Sequence, residues 1–183
     1  MLDTLKKLLC ATALILPAAT FAQDDAPATT DLSTGEPVVP EVISETFGDW
    51  TVNCQELDGI ERCQMNQLLR DQEGNPVIEV NLFRVADQPQ VFAGGSVVAP
   101  LETLLTQQLT ISIDGAQGKR YPFAFCVTSG CVSRVGLTEE DVNTYKRGAS
   151  ATLSIVPALA PDQIVALNMS LTGFTAAFDR LPE

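Results

Sequence analysis

The sequence predicts an all-β fold, a disulfide-stapled antiparallel β-sandwich or barrel-like domain with one or two short helices, on three observations. Short alternating apolar and polar segments separated by turn residues run from Phe47 onward, the spacing of sandwiches and barrels. Four of the five cysteines fall in that region as two close pairs. An Asp-Gly dipeptide lies at the centre of one pair, and that dipeptide between alternating segments is the strongest local signal for a two-residue hairpin.

The N-terminus reads as an address rather than as structure. Lys6 and Lys7 precede a run from Leu8 to Leu16 that Pro17 breaks, and Thr20-Phe21-Ala22 offers small residues three and one before a cut. Residues 1–22 are therefore expected to be a signal peptide, cleaved before Gln23. The run is shorter than the roughly 20 apolar residues a membrane-spanning helix needs. Cys10 sits inside it rather than after it, which argues against lipidation. Residues 23–46 hold six acids (Asp24, Asp25, Asp31, Glu36, Glu41, Glu45), no bases and three prolines, so an acidic disordered linker is expected there. Residues 47–183 are left for the folded domain.

Charge and composition exclude several functions. The 183-residue chain has a net charge of -12 and 11 Lys and Arg together. Nucleic-acid binding depends on cations that neutralise phosphates, so no nucleic-acid partner is expected. Histidine is absent, which removes the commonest general base and the commonest metal ligand. No cofactor and no metal are expected.

The cysteines can be ranked by local geometry. Folding about Asp58-Gly59 pairs Leu57 with Ile60, Glu56 with Glu61, Gln55 with Arg62 and Cys54 with Cys63. In that register the two cysteines form a non-hydrogen-bonded pair, about 4.5 Å apart at Cα and within disulfide range. The same register sets Glu56 opposite Glu61, an unfavourable like-charge pair. Cys126 and Cys131 close a tighter loop through Gly130, which is free to adopt a left-handed turn. Cys54–Cys63 and Cys126–Cys131 are thus the expected disulfides. A zinc site needs closer pairs of the C-x2-C kind, and a redox dithiol prefers C-x-x-C opening a helix; neither spacing occurs.

Strands are expected over the Trp50–Cys54 region and after Cys63. Further strands are expected over Val77–Phe83, Val91–Ala99, Leu109–Asp114, Arg120–Val127, Ala151–Val156 and Ile164–Leu171. Within Arg120–Val127, Tyr121, Phe123 and Phe125 alternate onto one face and read as sheet core, with Pro122 suggesting an edge position. Thr138-Glu139-Glu140-Asp141 resembles a capping box that opens a helix closed by Gly148, and its acids suit a helix N-terminus better than paired-acid catalysis. A second helix is expected over Thr175–Leu181. No nucleophile elbow, phosphate loop or dinucleotide fingerprint is present, and Lys119 and Lys146 are the candidates left for a Ser-Lys scheme. Asn168-Met169-Ser170 matches a glycosylation sequon inside an expected strand. No catalytic residue emerges.

Several ordered stretches resemble the invasion-associated locus B family. They are Phe47-Gly48-Asp49-Trp50-Thr51-Val52-Asn53-Cys54, Cys63 with Gln67, Pro100, Ile113-Asp114, Phe125-Cys126 with Gly130-Cys131, and Ser170-Leu171-Thr172-Gly173-Phe174-Thr175-Ala176-Ala177. The resemblance covers about residues 47–181. It implies a bacterial exported protein, periplasmic, outer-membrane-associated or secreted, and it brings no catalytic residue with it. The expected function is a non-enzymatic interaction or envelope-support module, with an envelope or host protein as partner and peripheral contact with the outer membrane. The alternative is a periplasmic hydrolase that cleaves glycans with two carboxylates about 5–10 Å apart.

Overall fold

The computed structural model describes residues 34–35, 41–86 and 88–182. The expected signal peptide and nearly all of residues 23–40 lie outside the described residues. From Val42 onward the described residues form eleven strands, two α-helices and one 3-10 turn at Leu105–Gln107. The strands are β1 (Val42–Phe47), β2 (Trp50–Leu57), β3 (Ile60–Arg70), β4 (Pro76–Arg84), β5 (Ala93–Ala99), β6 (Leu109–Ile113), β7 (Lys119–Tyr121), β8 (Phe123–Val127), β9 (Gly130–Leu137), β10 (Ser150–Ile155) and β11 (Val165–Ser170). Helix α1 (Glu139–Arg147) precedes β10, and α2 (Phe174–Arg180) follows β11. Two antiparallel sheets result, one of seven strands in the order β1-β2-β3-β4-β5-β9-β8 and one of four in the order β11-β10-β6-β7. The arrangement is an open sandwich rather than a closed barrel.

Alternation along each strand sends one set of side chains into the space between the sheets. Trp50, Val52, Met65, Leu69, Ile78, Val80 and Leu82 enter it from the large sheet, and Leu109, Ile111, Leu153, Leu167 and Met169 from the small one; all are buried. One end is closed by aromatic rings on the helices. Phe174 meets Trp50 edge-on at 5.3 Å and stacks with Phe178 at 5.9 Å, while Tyr145 of α1 lies 5.4 Å from Phe174. Burial pushes the Tyr145 phenol well above its usual pKa. Arg84 covers the Phe178 ring at 4.8 Å, a cation–π contact at the rim of the core.

The first hairpin follows the sequence closely. Asp58 and Gly59 both take positive φ, 55° and 76°, the conformation a type I′ turn requires. Cys54 pairs with Cys63 and Glu56 with Glu61 in β2–β3. Arg180 relieves the like-charge pair, because its guanidinium bonds Glu61 at 3.0 Å and Glu45 of β1 at 2.7 Å. The Arg180 hydrogen bond holds the Glu61 carboxyl below its ordinary pKa.

Both disulfides are formed, Cys54–Cys63 and Cys126–Cys131, with Cα separations of 4.1 and 4.0 Å. Replacing either pair with serines is expected to lower the unfolding free energy by about 2–3 kcal/mol on the loop-entropy account. Urea denaturation of the oxidised variants would read that loss directly.

α1 opens as expected. The Thr138 hydroxyl accepts from the Asp141 N–H and the Asp141 carboxylate accepts from the Thr138 N–H, a complete capping box. Partial burial works upward on the Asp141 carboxyl. The Lys119 ammonium and the Thr138 bonds outweigh it and hold the group below its ordinary pKa. A depressed folded pKa contributes stability that is complete above the unfolded value and disappears as pH falls through the folded one. Asp141→Ala is therefore expected to cost about 1 kcal/mol near neutrality. The gap from the wild type should narrow below about pH 4 in paired denaturation curves.

Three expectations need correction. Val42–Thr46, placed in the disordered linker, belongs to edge strand β1. It is held by the β2 ladder, by Glu45–Arg180 and by a 2.6 Å bond from the Ser44 hydroxyl to the Asn53 side chain. Arg120–Val127 is not one strand. Pro122 has no N–H to donate, and around it the chain leaves the small sheet as β7 and enters the large one as β8. Tyr121, Phe123 and Phe125 consequently form no common core patch. Tyr121 pairs with Leu109 in the small sheet, Phe123 packs against the core, and a register shift between Phe123 and Phe125 turns Phe125 out to 43% exposure.

Candidate functional site

The residues that carry the family resemblance build the joint between the sheets. Trp50 Nε1 and Gln67 Nε2 both donate to the Ser170 carbonyl at 2.9 Å, and the Ser170 N–H returns a 2.9 Å bond to Gln67 Oε1. The buried carboxamide of Gln67 is thus satisfied by the backbone of β11. Beside it the Asp49 N–H bonds the Thr172 carbonyl at 3.1 Å. Gly48 and Gly173 take φ of 59° and 84° where the two backbones touch. A Cβ on Gly48 would lie 2.5 Å from the Thr172 oxygen, and one on Gly173 would run into the Phe47 carbonyl. Both positions are reserved for glycine by conformation and by space.

The surface available for recognition is the opposite side of the seven-stranded sheet, facing solvent. Strand register lays its residues in rows. Thr46, Thr51, Asn66, Asn81, Ser96 and Arg134 form one continuous row from β1 to β9. A second row runs Leu68, Glu79, Val98, Val132 and Phe125. A third contains Ser44, Asn53 and Gln64 on one side and Phe83, Gly94 and Gly136 on the other. Across these rows the face carries hydroxyls and carboxamides, a single acid in Glu79, and the cation Arg134. In a chain of net charge -12, this acid-poor sheet face is a marked segregation of charge.

Two grooves indent it on either side of Phe83, which is 44% exposed. The larger, about 870 Å³, opens where β3 and β4 part beyond Met65 and Leu82, and is lined by Asn53, Gln55, Arg62, Gln64 and Phe83 of that face and by Cys63, Arg84 and Pro182 from the other side of the sheet. Among the described residues the acid in that lining is Glu61, already held by Arg180. The smaller, about 530 Å³, runs from Phe83 over Gly94, Ser96 and Val98 to Phe125 and Arg134. Gly94 lets the Phe83 ring lie flat, since a Cβ there would come within 2.9 Å of the ring. Arg134 stands 5.6 Å over the Phe125 ring.

The other candidates from the sequence occupy structural positions. Cys54, Glu61 and Cys63 place ligand-type atoms within 4.8 Å of one another, but both sulfurs are joined in the disulfide and offer no thiolate. Glu139 and Glu140 occupy the first turn of α1 with Asp141. Lys119 is bound to Asp141 and Lys146 to Asp179. Asn168 projects from β11, while Met169 beside it is buried. Glu61, Asp71 and Asp141 have displaced pKa values, and all three move down, each led or outweighed by a hydrogen-bonding partner. A glycan-cleaving general acid needs a carboxyl moved up.

Sequence reasoning missed Phe83 and the amide rows. The signal was present in β4, where Glu79, Asn81 and Phe83 alternate with buried Ile78, Val80 and Leu82. An aromatic on the solvent face of a strand marks a surface rather than core. No helix among the described residues is long and apolar enough to cross a membrane.

Comparison with known proteins places this geometry in a family. Residues 50–182 match the family described as Invasion associated locus B (IalB) protein. An invasion protein B homologue of Brucella abortus strain 2308 is 32% identical over 140 residues, covering 76% of this chain and 79% of the relative. Invasion protein B of Bartonella bacilliformis is 26% identical over 172 residues, covering 92% and 90% respectively. The crystal structure of invasion associated protein b from Bartonella henselae superposes with a TM-score of 0.67 at 23% identity, over 75% of this chain and 93% of that one, and so shares the fold. The matched span holds both disulfides and the Trp50–Gln67–Ser170 joint, and on that match the chain belongs to the invasion-associated locus B family.

Proposed function

We propose that the chain is an exported, non-enzymatic module of the bacterial envelope that acts in the periplasm by binding a partner across the solvent face of its seven-stranded sheet. The observation that carries this reading is the segregation of charge, since a strongly acidic chain keeps one broad, grooved face almost free of acids. Exposed Phe83 and Phe125 add apolar contact area to that face, the mixture of aromatic anchors and polar surroundings typical of recognition surfaces. Export is supported by the signal-like residues 1–22 and by two disulfides, which persist in oxidising compartments. The names of the relatives tie those proteins to invasion, and a host-surface partner is the corresponding extension for a chain released from the cell.

Intact-mass analysis of protein taken from the periplasm tests the export half of this reading. A chain beginning at Gln23 with both disulfides closed is the expected species. Recovery of the chain from the cytosol with residues 1–22 retained and its thiols free would refute export.

A further inference from the structure

We propose that the groove beside Phe83 binds an oligosaccharide, laid across the strands from Gln55 and Gln64 towards Phe125. This rests on the solvent face of the large sheet being the working surface, and it names the chemistry of the ligand.

The lining matches a sugar chain better than a peptide or a charged polymer. A sugar hydroxyl both donates and accepts, and so does a carboxamide. Asn53 and Gln64 lie directly opposite each other, with Gln55 paired to Arg62 one step along. All four line the larger groove. An apolar C–H face of a sugar ring needs a flat, uncharged platform, and the Phe83 ring supplies one between the two grooves.

Phe125 presents a second exposed ring further on, with the Arg134 guanidinium 5.6 Å over it. Three strand steps separate β4 from β8, about 14 Å across the sheet, and the register sets Phe125 four residues further along the strands, so the two positions lie about 19 Å apart. That is the reach of a short oligosaccharide, running over Gly94, Ser96 and Val98 beside Arg134. Arg134, beside Phe125, provides a further donor at the far end.

Charge argues in the same direction. A cationic peptide would meet Arg62 and Arg84 in the larger groove and Arg134 in the smaller, against the acid Glu61 that Arg180 already holds, and an anionic polymer would still meet the net charge of -12 of the whole chain. An extended peptide would draw its affinity from an open strand edge, whereas the smaller groove runs over β4, β5, β9 and β8, which are paired to one another.

The test is a nuclear magnetic resonance titration of the oxidised exported chain. Three probes are used: a tetrasaccharide of β-1,4-linked N-acetylglucosamine, a tetrasaccharide of β-1,4-linked glucose, and an uncharged extended peptide of similar length. Saccharide-dependent shifts grouped at Asn53, Gln64, Phe83 and Gly94 are expected, with none from the peptide. Phe83→Ala should weaken saccharide binding about tenfold, the loss of one stacking contact. Phe83→Trp should restore it, which a purely structural role for Phe83 would not allow. Gln64→Ala, at an exposed position, should also weaken binding, and Asn168→Ala on the small sheet should leave it unchanged. Shifts on this face with the peptide alone would overturn the sugar assignment and leave the face as a protein-binding surface. No saccharide response, or one confined to the small sheet, would overturn the assignment as well.

Discussion

Gly173→Ala is expected to leave little or no folded protein at ambient temperature. Two independent penalties meet at this residue. Its φ of 84° is a conformation that a residue with a Cβ adopts only under strain, and the added methyl would overlap the Phe47 carbonyl and the Gly48 nitrogen. These are backbone atoms of the β1–β2 turn, which cannot swing aside as a side chain can. They belong to the same contact that carries the Asp49–Thr172 hydrogen bond, so moving them separates α2 from the large sheet. The loss is expected to reach about 4 kcal/mol or more, the range reserved for backbone clash and strain. The measurement is a urea melt followed by Trp50 fluorescence, with Gly115→Ala as the control. Gly115, in the turn between β6 and β7, also has positive φ, 74°, but a Cβ there meets nothing within 4 Å.

Trp50→Ala should cost about 3–5 kcal/mol. The indole is wholly buried, touches Phe174 edge-on, and donates to the Ser170 carbonyl. Truncation leaves a cavity among side chains of β2 and α2 and removes one of the two side-chain donors to that carbonyl. Trp50→Phe separates the two effects, since it keeps most of the volume and loses the N–H. A smaller loss of about 1–2 kcal/mol is expected for it. If Trp50→Ala were as stable as the parent, the joint between the sheets would not depend on this residue.

Much of this architecture is legible in the residues because local chemistry decides it. Asp58-Gly59 selects a turn that sets the register of β2 and β3, and that register brings Cys54 to Cys63. The Thr138–Asp141 reciprocity opens α1 with no help from tertiary packing. The misreadings came where distant residues decide the outcome. Val42–Phe47 has one acid, Glu45, among the strand formers Val42, Ile43, Thr46 and Phe47, but it follows directly on an acidic, proline-containing stretch, and the partner that ties Glu45 down, Arg180, is more than 130 positions away in sequence. Pro122 was read as an edge marker, and at the change of sheet it also divides one apparent strand in two. Gly48 and Gly173 are recognisable as glycines in a motif, but the reason they must be glycine exists only once β1–β2 meets the start of α2.

The candidate site was less legible than the fold. Aromatics at period two are ordinary core, and Phe125 leaves the core only because of the register shift that precedes it. The acid-poor face is scattered through the sequence over seven strands and becomes one surface through strand pairing. No motif search finds such a surface, since its residues share neither spacing nor neighbourhood in the chain.

Photo-crosslinking in the native envelope reaches the functional claim most directly. A photoreactive residue at Gln64 or Arg134 lies on the solvent face of the large sheet, and one at Ala166 or Asn168 lies on exposed positions of β11 in the small sheet. Adducts from the first two positions and none from the last two are the predicted result. Adducts from Ala166 and Asn168 alone would put the working surface on the other sheet and contradict the account.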